Sequence, residues 1–143
     1  MADGQPFRPR RPLGRTGFVA TAPGMGDLAG RSVRIEACVA TARRVLDAGL
    51  NLIDTAPNYE AGYSEEIVGR TVRGRRDRVF VIDKVDDLEA PVGPQIDGSL
   101  VRLGLDRAGD RHLVAGLAPV RIGGQAHGAA ALEGRVVSGR LIM

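Results

Sequence analysis

Three residues combine types and spacing that could move a proton: Asp54, Tyr59 and Lys84. Asp54 closes the apolar run Leu50-Asn-Leu-Ile-Asp54, and Lys84 stands just past the run Val79-Phe-Val-Ile82. If both runs are parallel strands of an α/β sheet or barrel, their carboxyl ends share one rim and bring the two charges side by side. Tyr59 lies beyond Asp54 on the loop Thr55–Tyr63 and can lean over both. A free phenol titrates at about 10, so a neighbouring ammonium must favour the phenolate before the phenol gives up its proton readily. A carboxylate hydrogen-bonded to that ammonium holds it in place. A surface tyrosine beside a rim ion pair is the plainer reading of the same spacing. Against it stands the solitary lysine: of 20 cationic side chains all but Lys84 are arginine. Arg would serve a structural ion pair as well, whereas Lys tunes more readily.

The elements that must position these residues alternate. Residues 1–12 read as a flexible leader rich in Arg and Pro. Leu13–Val19 reads as a short hairpin, with Gly14 and Gly17 supplying the turn. Ala20–Gly30 reads as a strand ending in a loop. Ser32 is placed to cap a helix with Ile35, Cys38, Val39, Ala42, Val45 and Leu46 on one face and Gly49 as its stop. Ser64 is placed to cap a second helix running to about Arg73, with Glu65 and Glu66 at its positive end. Pro91 opens a third helix, with Val92, Ile96, Leu100 and Leu103 facing inward and Gly104 closing it. Short apolar strands without polar alternation, separated by helices, predict a parallel sheet buried on both faces.

Composition narrows the function. The 143 residues, 43% hydrophobic, suffice for one domain with a core. No run of about 18 apolar residues spans a membrane, and the polar start lacks a secretory signal, so the expected location is cytoplasmic. One cysteine, Cys38, excludes a disulfide framework and a cysteine metal cluster, and no metal site is expected. Few aromatics and scattered arginines point away from nucleic acid. Gly24-Met-Gly26-Asp-Leu-Ala29 fits the G-x-G-x-x-G/A dinucleotide pattern, but the helical periodicity starts only near Ser32. We therefore read it as a strand-to-helix loop whose glycines still let a ligand approach.

A family resemblance covers roughly residues 12–106. Leu13-Gly-Arg-Thr-Gly17, Asp47–Tyr59 (DAGLNLIDTAPNY), Gly62-Tyr-Ser-Glu-Glu66 with Gly69, Val81-Ile-Asp-Lys84 and Ser99–Asp106 (SLVRLGLD) resemble the N-terminal half of an aldo-keto reductase. The resemblance implies a partial (β/α)8 TIM barrel: an opening β-hairpin plus three to four βα units, with residues 13–106 as a half barrel. It implies an oxidoreductase that uses NADPH to reduce aldehydes or ketones, with Tyr59 as general acid, Lys84 tuning it and Asp54 orienting Lys84. The matching cofactor positions are Gly24, Gly26 and Asp54, with Asp27 standing where a Thr is usual.

The tail departs from the family pattern. The fourth strand is expected near His112-Leu-Val-Ala115, and alignment on Asp110 puts Ala115 where the family carries a catalytic His. His112, three residues early, is the remaining candidate for that role; His127 lies in a Gly/Ala stretch. Of the 17 acidic residues only Glu133 lies beyond Asp110, and no aromatic follows Phe80. Residues 107–143 therefore read as a divergent Gly/Ala-rich tail, truncated or frame-disturbed, with a weak helix at 125–132. A whole barrel takes about 250 residues. The competing function is a catalytically silent fragment or a self-associating scaffold, a homodimer formed through open sheet edges.

Overall fold

The computed structural model describes residues 7, 9–14, 16–27, 29–87 and 89–105, and the backbone of 113–117. The chain opens with an antiparallel hairpin, β1 (Arg10–Pro12) against β2 (Val19–Thr21), in the register Arg10↔Thr21 to Pro12↔Val19. Its arms share only Val19 with the Leu13–Val19 segment that the sequence suggests, and β1 falls inside the expected leader. The reason is local. Gly14 and Gly17 take positive φ, and Thr16 bridges the loop by donating to the Leu13 carbonyl and accepting from the Phe18 N–H. Residues 13–18 are therefore consumed by the turn. The Arg10 guanidinium also donates to the Gly49 carbonyl at 2.8 Å, which ties the first arm to the body.

Among the described residues three α-helices follow, α1 (Ile35–Asp47), α2 (Tyr63–Val72) and α3 (Val92–Leu103), interleaved with β3 (Leu52–Asp54), β4 (Phe80–Val85) and β5 (Leu113–Leu117). The strands are parallel in the order β3-β4-β5, with Asp54 opposite Ile82 and Lys84 opposite Gly116. On the far side of β3, Met25 bridges to Ile53, its N–H bonded to Leu52 and its carbonyl accepting from Asp54. The expected strand in Ala20–Gly30 is thus split between the hairpin arm and this single bridge. Met25, β3, β4 and β5 lie side by side in chain order, without the reversal of a doubly wound sheet, as in a barrel.

The core lies between strands and helices: Met25, Ile53 and Val81 meet Ala42 and Leu46 of α1, Val68 and Val72 of α2, and Leu100 and Leu103 of α3. Alpha 1 buries Cys38, Ala42 and Leu46, a stripe of spacing four that the sequence displays. A second cluster sets Phe18 against Phe80, with centroids 5.3 Å apart, beside Leu13, Leu52 and Ile82. Phe80 and Leu52 begin their strands, so the hairpin covers the end of the sheet opposite the Asp54–Lys84 rim.

The serine caps are corrected. Helix α1 starts after Arg34 and α2 after Gly62, and neither has a side-chain cap. Residues 30–33 close a turn, Val33 N–H to Gly30 carbonyl, which keeps Ser32 outside α1. Ser64 sits inside the first turn of α2, buried, its hydroxyl accepting from Thr55 Oγ1 at 2.9 Å. The α3 reading needs no change at its ends: Pro91 is its N-cap and Gly104, at φ 64°, its C-cap.

Candidate active site

The carboxyl ends of β3 and β4 hold Asp54 and Lys84 in contact. The Lys84 ammonium donates to Asp54 Oδ1 at 2.6 Å, to the Thr55 carbonyl at 3.0 Å and to the Tyr59 hydroxyl at 2.9 Å. An ammonium has three N–H donors, and all three are engaged. The site therefore fixes the Lys84 head in position and direction. The Tyr59 hydroxyl accepts one of those bonds and directs its own proton to Asp54 Oδ1 at 3.4 Å, a long contact. Nζ also lies 4.4 Å from the Tyr59 ring centroid.

Burial pulls the Lys84 pKa down. Hydrogen bonds to Asp54 and Tyr59, and the charges of both, outweigh it and hold the ammonium above its ordinary value. The Lys84 side chain is 21% exposed and that of Asp54 37%, so the cluster sits at a surface that a small molecule can reach.

Tyr59 is held by a loop with unusual backbone. Glu60, Ala61 and Gly62 all take positive φ, at 50°, 52° and 85°. Two of the three are not glycine, a conformation that costs energy and persists only where surroundings enforce it. The enforcing contacts are visible. Arg31 donates to the Glu60 carbonyl at 2.5 Å, the Tyr59 carbonyl accepts from Ser64 N–H, and Asp86 Oδ2 accepts the Asn58 N–H at 2.9 Å. Asp86 and the Thr55 carbonyl are parts of the site that sequence reasoning missed. The only local sign of the first is the Asp86-Asp87 pair after β4.

Gly24 and Gly26 flank Met25 beside the Asp54 end of β3. A Cβ at Gly24 would meet Leu52 side-chain atoms at 3.2 Å, whereas one at Gly26 meets nothing within 4 Å. Gly26 thus leaves bare backbone and open space at the rim. The Asp27 carboxylate turns back to accept the Ala29 N–H at 2.8 Å. His112 and His127 lie outside the described residues. Among the described residues no group of His, Cys, Asp and Glu could hold a metal ion, and no helix is long and apolar enough to cross a membrane.

Parallel strands in chain order, helices on one side and a charged cluster at the strands' carboxyl ends define part of a (β/α)8 barrel with its site on the usual rim. The aldo/keto reductase family model matches residues 22–109, and the chain belongs to that family. It is 32% identical over 111 residues to the NADH-specific methylglyoxal reductase of Escherichia coli, covering 77% of this chain and 31% of the relative. It is 50% identical over 48 residues to the aldo-keto reductase YhdN of Bacillus subtilis, covering 32% of this chain and 14% of that protein. An aldo/keto reductase from Klebsiella pneumoniae, solved with NADP and acetate, superposes with a TM-score of 0.59 at 32% identity, covering 71% of this chain and 36% of the other. The chain spans about a third or less of the length of these relatives.

Proposed function

We propose that the rim is the proton-donating part of a nicotinamide-dependent carbonyl reductase, with Tyr59 as general acid. The observation that carries the reading is the saturated Lys84 ammonium between Asp54 and the Tyr59 oxygen. When a phenolic proton leaves toward a carbonyl oxygen, negative charge grows on the Tyr59 oxygen. The Lys84 N–H already points there and stabilises that charge without reorganising. Asp54 and the Thr55 carbonyl keep Lys84 from turning away, so they act as positioning groups. Because the Tyr59 proton is held by Asp54 only at 3.4 Å, little is lost when it turns to a substrate.

A nicotinamide, when bound, supplies the hydride. The donor set fits such a cofactor: a phenol and an ammonium on an open rim, beside backbone at Gly26 that no side chain obstructs. Gly24, Gly26 and Asp54 are the residues proposed to line it. One relative is named NADH-specific and similar solved structures hold NADP or NADPH, so we assign the class of cofactor, and NADPH as the first to try. A small aldehyde or ketone is the proposed substrate. We also assign His112 the role of helping to polarise the carbonyl, which its substitution would test.

A second reading, a silent or self-associating scaffold, draws on one observation. Among the described residues β5 pairs on one side only, and such an edge is a template for another strand. Turnover separates the two readings. The chain through Leu105 is joined to the complementary part of the Klebsiella pneumoniae enzyme and given NADPH or NADH with methylglyoxal. The proposal expects substrate-dependent oxidation of the cofactor. A folded, cofactor-binding barrel without turnover would overturn it.

A further inference from the structure

Side chains alternate along a strand, so the residue before Lys84 faces the layer between sheet and helices. That residue is Asp83, only 2% exposed. Its Oδ1 accepts the backbone N–H of Lys84 at 2.8 Å, and its buried Oδ2 has no hydrogen-bond partner. The groups that bear on it come from two helices: Glu65 of α2, fully buried, and Ser99 and Arg102 of α3. Arg102 is committed to Glu65, through Nε to Oε2 and Nη2 to Oε1, and Nη2 also reaches Ser99 Oγ at 3.3 Å. On β4 itself Lys84 turns to the opposite face, and Asp86 acts on Arg102 from beyond the strand end.

The charged groups of this layer that bear on Asp83 are thus one carboxylate and one guanidinium already paired to it. An ionised Asp83 would add a buried charge with no counter-ion of its own, which proteins avoid by protonation. We propose that Asp83 keeps its proton in the folded chain, donates it from Oδ2 toward Glu65, and acts as a positioning residue for Lys84 by holding the Lys84 amide. Burial is the main force raising the Asp83 pKa; the bonds from the Lys84 amide and the Ser99 hydroxyl oppose it, and Glu65 adds to it, leaving it at about 7. An unfolded aspartate ionises at about 3.9. The stability tied to this proton is complete below that value and is lost as pH rises through about 7. The inference deepens the proposed function by saying how Lys84 is held. Its test reads no turnover, so the two can fail separately.

The full chain is labelled with carbon-13 at aspartate carboxyls, assigned by through-bond experiments, and titrated by NMR together with the Lys84 amide. Asp83 is expected to titrate near 7, apart from the exposed aspartates, and the Lys84 amide to shift with the same midpoint. Asp83→Asn keeps a neutral donor and the acceptor for the Lys84 amide. It is expected to still the amide shift, to flatten the fall in melting temperature between about pH 4 and 7, and to melt higher than wild type at about pH 8. Glu65→Gln is expected to lower the Asp83 midpoint. An Asp83 that titrates with the exposed aspartates overturns the proposal, and so does an Asp83→Asn chain that melts lower than wild type at about pH 8.

Discussion

Two glycines inside helices make opposite predictions for the same substitution. Gly69 lies in α2 where a Cβ would come within 2.2 Å of the Leu103 carbonyl oxygen, 2.6 Å of its carbon and 2.9 Å of its Cα. All three are backbone atoms at the end of α3, and the oxygen is more than about 1 Å inside ordinary contact. Relieving the clash means parting α2 from α3, whose contact buries Val68, Val72, Leu100 and Leu103 to 3% exposure or less. Overpacking of this kind costs about 1–3 kcal/mol, here at the upper end because backbone must move. The helix preference of Ala over Gly returns about 1 kcal/mol. Gly69→Ala should therefore destabilise by about 2 kcal/mol, a melting temperature lower by roughly 7 °C in a chain of 143 residues. Gly98 in α3 is the control. A Cβ there meets Arg102 Nη1 at 3.2 Å, the far end of a flexible side chain and not one of the nitrogens that hold Glu65. Gly98→Ala should keep most of its gain of up to about 1 kcal/mol. Urea unfolding of both variants measures the pair. A Gly69→Ala chain as stable as wild type would refute the packing of α2 on α3.

Three further outcomes are expected. The Lys84 pKa is raised in the folded chain, so its contribution is whole below the unfolded value of about 10.4 and is lost as pH rises through the folded one; Lys84→Met should flatten the alkaline limb of a denaturation series, and an unchanged limb would contradict the geometry. The chain alone should bind NADPH weakly and turn over no aldehyde at an enzyme-like rate, since among the described residues the rim offers the cofactor Asp54, Tyr59, Lys84 and the Gly24–Gly26 backbone; saturable micromolar binding in a fluorescence titration would contradict this. Sequencing of the DNA around the codon for Ala108 should reveal a disturbed frame with a family-like continuation in another frame, and an intact frame with none would sink that reading of the tail.

What was legible in the sequence was local. Short apolar runs ending at Asp54 and Ile82 mark two strands, although β4 runs on through Asp83 and Lys84 to Val85 instead of stopping before Lys84, and parallel pairing then brings Asp54 and Lys84 together. The stripe Cys38, Ala42, Leu46 is a four-residue repeat that any helix must bury on one side. What escaped reading was tertiary. Glu65, whose place in the first turn of α2 suggests a helix-end charge, is fully buried against Arg102, and two residues 37 apart in sequence leave no local trace of their meeting. Ser32 and Ser64 have the chemistry of helix caps, but the turn at 30–33 and the left-handed run Glu60–Gly62 set the starts instead. The positive φ of Glu60 and Ala61 cannot be foreseen from residue types that rarely adopt it.

The central claim is that Tyr59 gives the proton, and Tyr59→Phe in the joined barrel tests it most directly. The substitution removes one oxygen and leaves the ring over Lys84, so cofactor binding should stay within about twofold of wild type. The proton donor itself is gone, and kcat for methylglyoxal should fall by about 10²–10⁴-fold, the range that a positioned general acid supplies. Unchanged NADPH affinity with kcat lost to that extent is the result this account predicts. A Tyr59→Phe barrel that reduces methylglyoxal at the wild-type rate would contradict it.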